Sequence, residues 1–133
     1  MSTSKIFIAL TLIFLLSCND TQYVKGKKIY DIACNNCHMD DGKGLQGIIP
    51  PLAQSDYLAN HQDELVRIIT MGIKDTILVN GISYDQPMEG ITTLTPVQIT
   101  NVINYINTAW GNDIPITTLQ KVNNSLNKME SSR

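Results

Sequence analysis

Aromatic side chains, charge and long apolar runs are all scarce in this chain. Aromatics make up 6% of its 133 residues and charged residues 17%, for a net charge of −2. So slight a charge balance offers nothing to a nucleic-acid backbone. The shortage of aromatics makes for a thin core, one that a large apolar prosthetic group could help to fill. The length suits one modest domain. No apolar run reaches the roughly 20 residues that a membrane-spanning helix needs. With only two histidines and three cysteines, the position of each one matters.

The longest apolar run is Ile6–Leu16 (IFIALTLIFLL), eleven residues broken only by Thr11. It follows a short polar start with one lysine, the pattern of an export signal. Leu15-Leu16-Ser17-Cys18 then resembles a bacterial lipobox, which implies acylation of Cys18 and a mature chain that starts there. We expect residues 1–17 to be a signal peptide and 18–22 a lipidated tether, which spans at most about 14 Å over its last four residues. The protein is then exported, periplasmic and anchored to a membrane through Cys18, and the other two cysteines lie in an oxidising compartment.

From Tyr23 a helix is predicted, with Ile29, Ile32 and Ala33 on one face and Gly26 and Tyr30 beside it. Residues 40–54 (DDGKGLQGIIPPLAQ) read as an ordered loop. Ser55–Leu58 suggests one helical turn, and Asp63–Met71 a helix stopped by Gly72. Asn80-Gly81 between short apolar runs predicts a tiny β-hairpin, followed by an irregular loop over Asp85–Thr93. Thr95 and Gln98 form a capping box with Pro96 at the first helical position, so a helix should carry Ile99, Val102, Ile103, Ile106 and Trp110 towards Gly111. A last helix is expected from Thr118 to about Met129.

The chemistry concentrates in Cys34-Asn35-Asn36-Cys37-His38. A structural zinc site needs four converging donors, and adjacent Cys37 and His38 cannot easily reach one tetrahedral metal. A thioredoxin-type dithiol needs its C-x-x-C at the start of a helix that follows a strand, whereas this one follows a helix. A plain disulfide leaves His38 unexplained. Covalent haem attachment accounts for all three residues, with two thioethers to the vinyl groups and an imidazole beneath the iron. For the sixth position the candidates are Met39, Met71, Met88, Met129 and His61. Met39 adjoins His38 and cannot cross the ring, while Met71 and Met129 read as packed helix residues. His61 lies on a polar stretch suited to an exposed or capping role. Met88 is preferred, because it lies 50 residues beyond His38 in a Pro/Gly-bearing loop that can cover the far face.

The segments GKKIYDIACNNCH, DGKGLQGIIPPLA, VNGISYDQPM and LTPVQITNVINYINTAWGN together resemble the class I mono-haem cytochrome c family. The resemblance implies an all-α fold of four to five short helices around one covalent haem c, over about residues 23–112, with 113–133 as a helical extension. It implies Cys34 and Cys37 as thioether anchors, His38 as proximal ligand and Met88 as distal ligand. Gly26 and Tyr30 match the crossing of the first helix with the Tyr105 helix, and a carbonyl of Pro50 or Pro51 should accept the proximal Nδ1–H. Two departures stand out: Met39 replaces a common glycine, and proline precedes Met88 rather than following it.

The expected function is one-electron transfer, without a catalytic residue or a small-molecule substrate. Leu52, Leu65, Ile69 and Ile103 are expected around the ring. Asp40, Asp41, Asp85 and Glu89 should give an acidic edge for redox partners with a basic or neutral face. The alternatives are a haem-based ligand sensor and an electron-entry subunit of a larger membrane-associated oxidoreductase.

Overall fold

The computed structural model of the chain describes residues 20–132. The signal segment and Cys18 lie outside the described residues. Helix α1 spans Asp20–Ala33 and begins within the stretch read as a tether. A break at Cys34 separates it from the single turn α2, Asn35–His38. Then come α3 (Asp56–Asn60), a 3-10 turn (Gln62–Glu64) and α4 (Leu65–Met71). The strands β1 (Gly72–Ile73), β2 (Ile77–Val79), β3 (Ile82–Tyr84) and β4 (Met88–Glu89) follow, then α5 (Pro96–Thr108) and α6 (Leu119–Ser131). Among the described residues the fold is mainly helical with six α-segments, two of them a single turn, and it carries the expected hairpin.

The main frame is α1 crossing α5. Gly26 is why they can cross so closely: a Cβ there would overlap the Asn101 carbonyl oxygen and stand 2.6 Å from Tyr105 Cβ. Tyr30, four residues on, is fully buried, and its ring meets those of Tyr105 and Trp110 at centroid distances of 5.3 and 5.0 Å. The buried face of α1 is thus set by Gly26 and Tyr30. Ile32, expected to face inward, is 74% exposed, because the crossing point fixes the rotation of the helix and turns that position to solvent.

Helix α5 starts as its sequence dictates. The Thr95 side chain accepts from Gln98 N, the Gln98 side chain accepts from Thr95 N, and Pro96 opens the helix. It ends at Thr108, before Trp110, whose φ of 53° turns the chain away. There the Trp110 indole donates to the Asp40 carbonyl at 2.9 Å, tying the end of α5 to the segment after His38.

The strands form two ladders. The expected hairpin pairs β2 with β3 through Asn80-Gly81, both at positive φ. The second ladder, β1 with β4, pairs Gly72 with Glu89 and Ile73 with Met88. Residues 88 and 89 are therefore strand, where an irregular loop was expected. Two-residue strands carry no alternation to read, and their partner lies 16 positions away.

The C-terminal extension packs back on the core. Asn104 accepts from Thr117 N at 2.7 Å and donates to Thr117 O at 3.1 Å. Asn107, wholly buried, donates to Pro115 O and to Gln62 Oε1. These bonds seat α6, whose Val122 is fully buried.

Candidate functional site

The C-x-x-C-H stretch sits where α1 hands over to α2. Cys34, at φ −123°, interrupts the helix, and its carbonyl accepts from Cys37 N at 3.2 Å and from His38 N at 3.0 Å. This tight turn brings both sulfur-bearing residues and the imidazole to the wall of one cavity. The two thiols are free rather than bridged. Burial, then the neighbouring Cys37, pushes the Cys34 thiol up to about 11. A redox dithiol needs the opposite shift.

His38 is 8% exposed, and its Nδ1 stands 3.1 Å from the Pro50 carbonyl oxygen. A carbonyl only accepts, so Nδ1 carries the proton and donates, and the Nε2 lone pair is left to act as a ligand. Burial lowers the His38 pKa, partly offset by that bond, and so favours the neutral ring. Of the two prolines, Pro50 makes this contact, and Pro51 lines the cavity. Beyond His38, Met39 turns the chain at φ 63° and ψ 162°, and its carbonyl accepts from the Tyr30 hydroxyl at 2.6 Å. The loop then folds back, with Gly42 O accepting from Leu52 N and Ala53 N.

The cavity has a volume of about 400 Å³, within the range of cofactor sites. Its walls are mostly apolar: Leu52, Leu65, Ile69, Val102 and Ile106 all contribute. Ile103 does not line it. That residue is 2% exposed in the core beneath, because successive positions on α5 rotate by about 100° and the α1 crossing aims Val102 and Ile106 at the cavity.

Met88 lines the same cavity and is half-buried. It is held by backbone pairing, with β4 against β1 and Ile91 N donating to Ile69 O at 2.7 Å. Gly90 makes this approach possible, since a Cβ there would stand 2.5 Å from Thr70 O. The rival residues lie elsewhere. Met71 is 51% exposed, where burial was expected, because α4 ends there with its side chain outside the core. Met71 and Met129 line a separate groove between α4 and α6. His61 caps α3, with its Nδ1 2.8 Å from Tyr57 O and its ring stacked on Tyr57 at 3.8 Å. It is not part of the cavity wall.

Sequence reasoning missed the polar wall. Tyr57, Asp75, Tyr84 and Gln86 all line the cavity, together with Ile77 and Val79. The pairing of Ile77 with Tyr84 puts both on the hairpin's inner side, and the alternation of Ile77 and Val79 was the available signal. The acidic edge also differs from expectation. Asp40 stands 3.7 Å from Lys27 and Asp41 3.2 Å from Lys43, so both are paired. Asp75 and Glu89 are the carboxylates at the cavity itself, with Asp85 exposed nearby in sequence.

Two free thiols, a neutral imidazole fixed through Nδ1, a thioether and an apolar cavity suit a covalently attached haem. The cytochrome c family model matches residues 23–110. Over 90 residues the chain is 36% identical to cytochrome c-552 of Thermus thermophilus, covering 65% of this chain and 68% of that one. The same identity holds for a cytochrome c-552 from a second strain of that species, of which the match covers 60%. It is 33% identical over 107 residues to the cytochrome c subunit of the quinone alcohol dehydrogenase of Gluconacetobacter polyoxogenes. That match covers 77% of this chain but only 22% of the subunit.

Proposed function

The chain belongs to the cytochrome c family as a class I mono-haem electron-transfer protein with one covalent haem c, and on that premise we propose its ligands, anchor and partners. Cys34 and Cys37 are the thioether attachment points, His38 is the proximal ligand and Met88 the distal one. The observation that carries this reading is that all four, from three separate elements and the break between two of them, line one apolar cavity.

When bound, the haem supplies a single ferric–ferrous couple. The chain's own part is to hold its ligands still and keep water away. Pro50 O fixes the orientation of His38 and raises the basicity of its free nitrogen. The β1–β4 ladder holds the backbone of Met88 against α4. Leu65, Ile69, Val102 and Ile106 exclude water, which favours the less charged ferrous state. The protein is an exported carrier whose Cys18 bears a membrane lipid. Partners dock at an edge carrying Asp75, Asp85 and Glu89 and present a basic or neutral face.

A ligand sensor with an open iron position is the rival. Exposing the reduced protein to carbon monoxide at neutral pH tests the two. A carrier with Met88 bound leaves the spectrum unchanged, whereas rapid formation of a carbonyl adduct contradicts the Met88 assignment. Similarity to the alcohol dehydrogenase cytochrome subunits supports a second reading, electron entry for a larger oxidoreductase. Stable co-purification with such an enzyme from membranes would favour it. For the lipid anchor, Cys18→Ala should move the protein from the membrane fraction to the soluble one.

A further inference from the structure

The cavity offers a limited choice of polar groups to a cofactor that brings two propionate carboxylates. No lysine or arginine lines it, and its acidic side chains, Asp75 and Glu89, oppose negative charge. His38 is committed through Nδ1 to Pro50. The wall groups left to hold a carboxylate are neutral donors.

Tyr84 differs from the other neutral donors. It is 4% exposed, faces inward on β3 opposite Ile77 and lines the cavity. Among the described residues its hydroxyl has no hydrogen-bond partner, yet it is not sealed off as a buried unsatisfied atom, so it opens onto the cavity. Ser55, also buried, already serves as the cap of α3, accepting from Leu58 N at 3.1 Å. Tyr57 is only half-buried, and Gln86 is exposed. A phenylalanine at position 84 would fill the same apolar space, so the hydroxyl is what distinguishes tyrosine here. A buried hydroxyl costs free energy unless it is paired, and a carboxylate is a far stronger acceptor than the thioether of Met88.

We propose that Tyr84 is a haem-binding residue whose hydroxyl donates a hydrogen bond to a propionate carboxylate, in a cavity that holds that edge of the cofactor with neutral donors and no cation. The proposal rests on the haem reading above. The bond disperses the carboxylate's negative charge near the iron, and its loss leaves that charge free to stabilise the ferric state.

The test uses the full-length holoprotein and Tyr84→Phe. A pyridine haemochrome assay on the wild type comes first, and a chain without covalent haem overturns both readings at once. With haem present, Tyr84→Phe should shift the propionate bending band in the resonance Raman spectrum and lower the reduction potential. The near-infrared sulfur-to-iron charge-transfer band should stay in place. An unmoved propionate band with an unchanged potential overturns the proposal and leaves the haem reading intact. A displaced charge-transfer band with an unmoved propionate band overturns it too, since the hydroxyl would then bond Met88. Should Tyr84→Phe fail to hold haem, wild type and Tyr84→Trp are compared in H₂O and D₂O. A propionate band in the wild type that is insensitive to D₂O counts against the bond. Sensitivity in the wild type that is lost in Tyr84→Trp supports it.

Discussion

At Met39 the backbone takes φ 63° and ψ 162°, a region that side chains with a Cβ enter only under constraint. The constraint comes from both sides: Met39 N donates to Asn35 O at 2.9 Å, and Tyr30 donates to the Met39 carbonyl at 2.6 Å. This accounts for the glycine common at that position in the family pattern, which the sequence alone left without explanation. Met39→Gly should relieve strain of about 1–3 kcal/mol, less the extra flexibility of glycine in the unfolded chain, for a net gain of about 1 kcal/mol. Guanidinium unfolding of the holoprotein measures it, and a lower midpoint would contradict the strain. At Met88, replacement by alanine should abolish the sulfur-to-iron charge-transfer band and let the reduced protein bind carbon monoxide. Retention of the band would remove Met88 from the site.

Among the elements, the crossing of α1 and α5 depends most on a single atom. Gly26→Ala puts a methyl group against the Asn101 carbonyl and Tyr105 Cβ. The two helices must separate, at a cost of about 1–3 kcal/mol. Thermal unfolding should show the loss, and an unchanged melting temperature would mean that the helices can slide apart freely. What could be read from the sequence at this scale was local chemistry. The capping box at Thr95, the stop at Gly72 and the Asn80-Gly81 turn each rest on a residue acting within a few positions of itself. The orientation of Ile32, the choice of Val102 and Ile106 over Ile103, and the β1–β4 ladder rest on distant partners. No window of sequence contains them. For the same reason the wall residues Tyr57 and Tyr84 escaped notice while Cys34, Cys37 and His38 did not: a contiguous motif can be read, but a wall assembled from a hairpin and a helix cannot.

For the molecule as a whole, the extension beyond residue 112 is part of the core rather than an appendage. Asn107 ties Gln62, ahead of α4, to Pro115 in the return segment. Asn107→Ala leaves both partners short of bonds and should cost about 3 kcal/mol, seen as a lower unfolding midpoint. A loss below about 1 kcal/mol would mean that water replaces the amide. The charge distribution makes a separate prediction. With Asp40 and Asp41 paired to lysines, the docking edge depends on Asp75, Asp85 and Glu89. Reduction of a basic partner should slow as ionic strength rises, and a rate indifferent to salt would remove electrostatics from docking. The central claim concerns how the cofactor is held, and acid–acetone extraction followed by a pyridine haemochrome assay tests it most directly. The wild-type protein should keep its haem through extraction with the spectrum of two thioether links, and Cys34→Ala/Cys37→Ala should release all of it. Haem extracted from the wild type, or retained covalently by the double variant, would contradict the account.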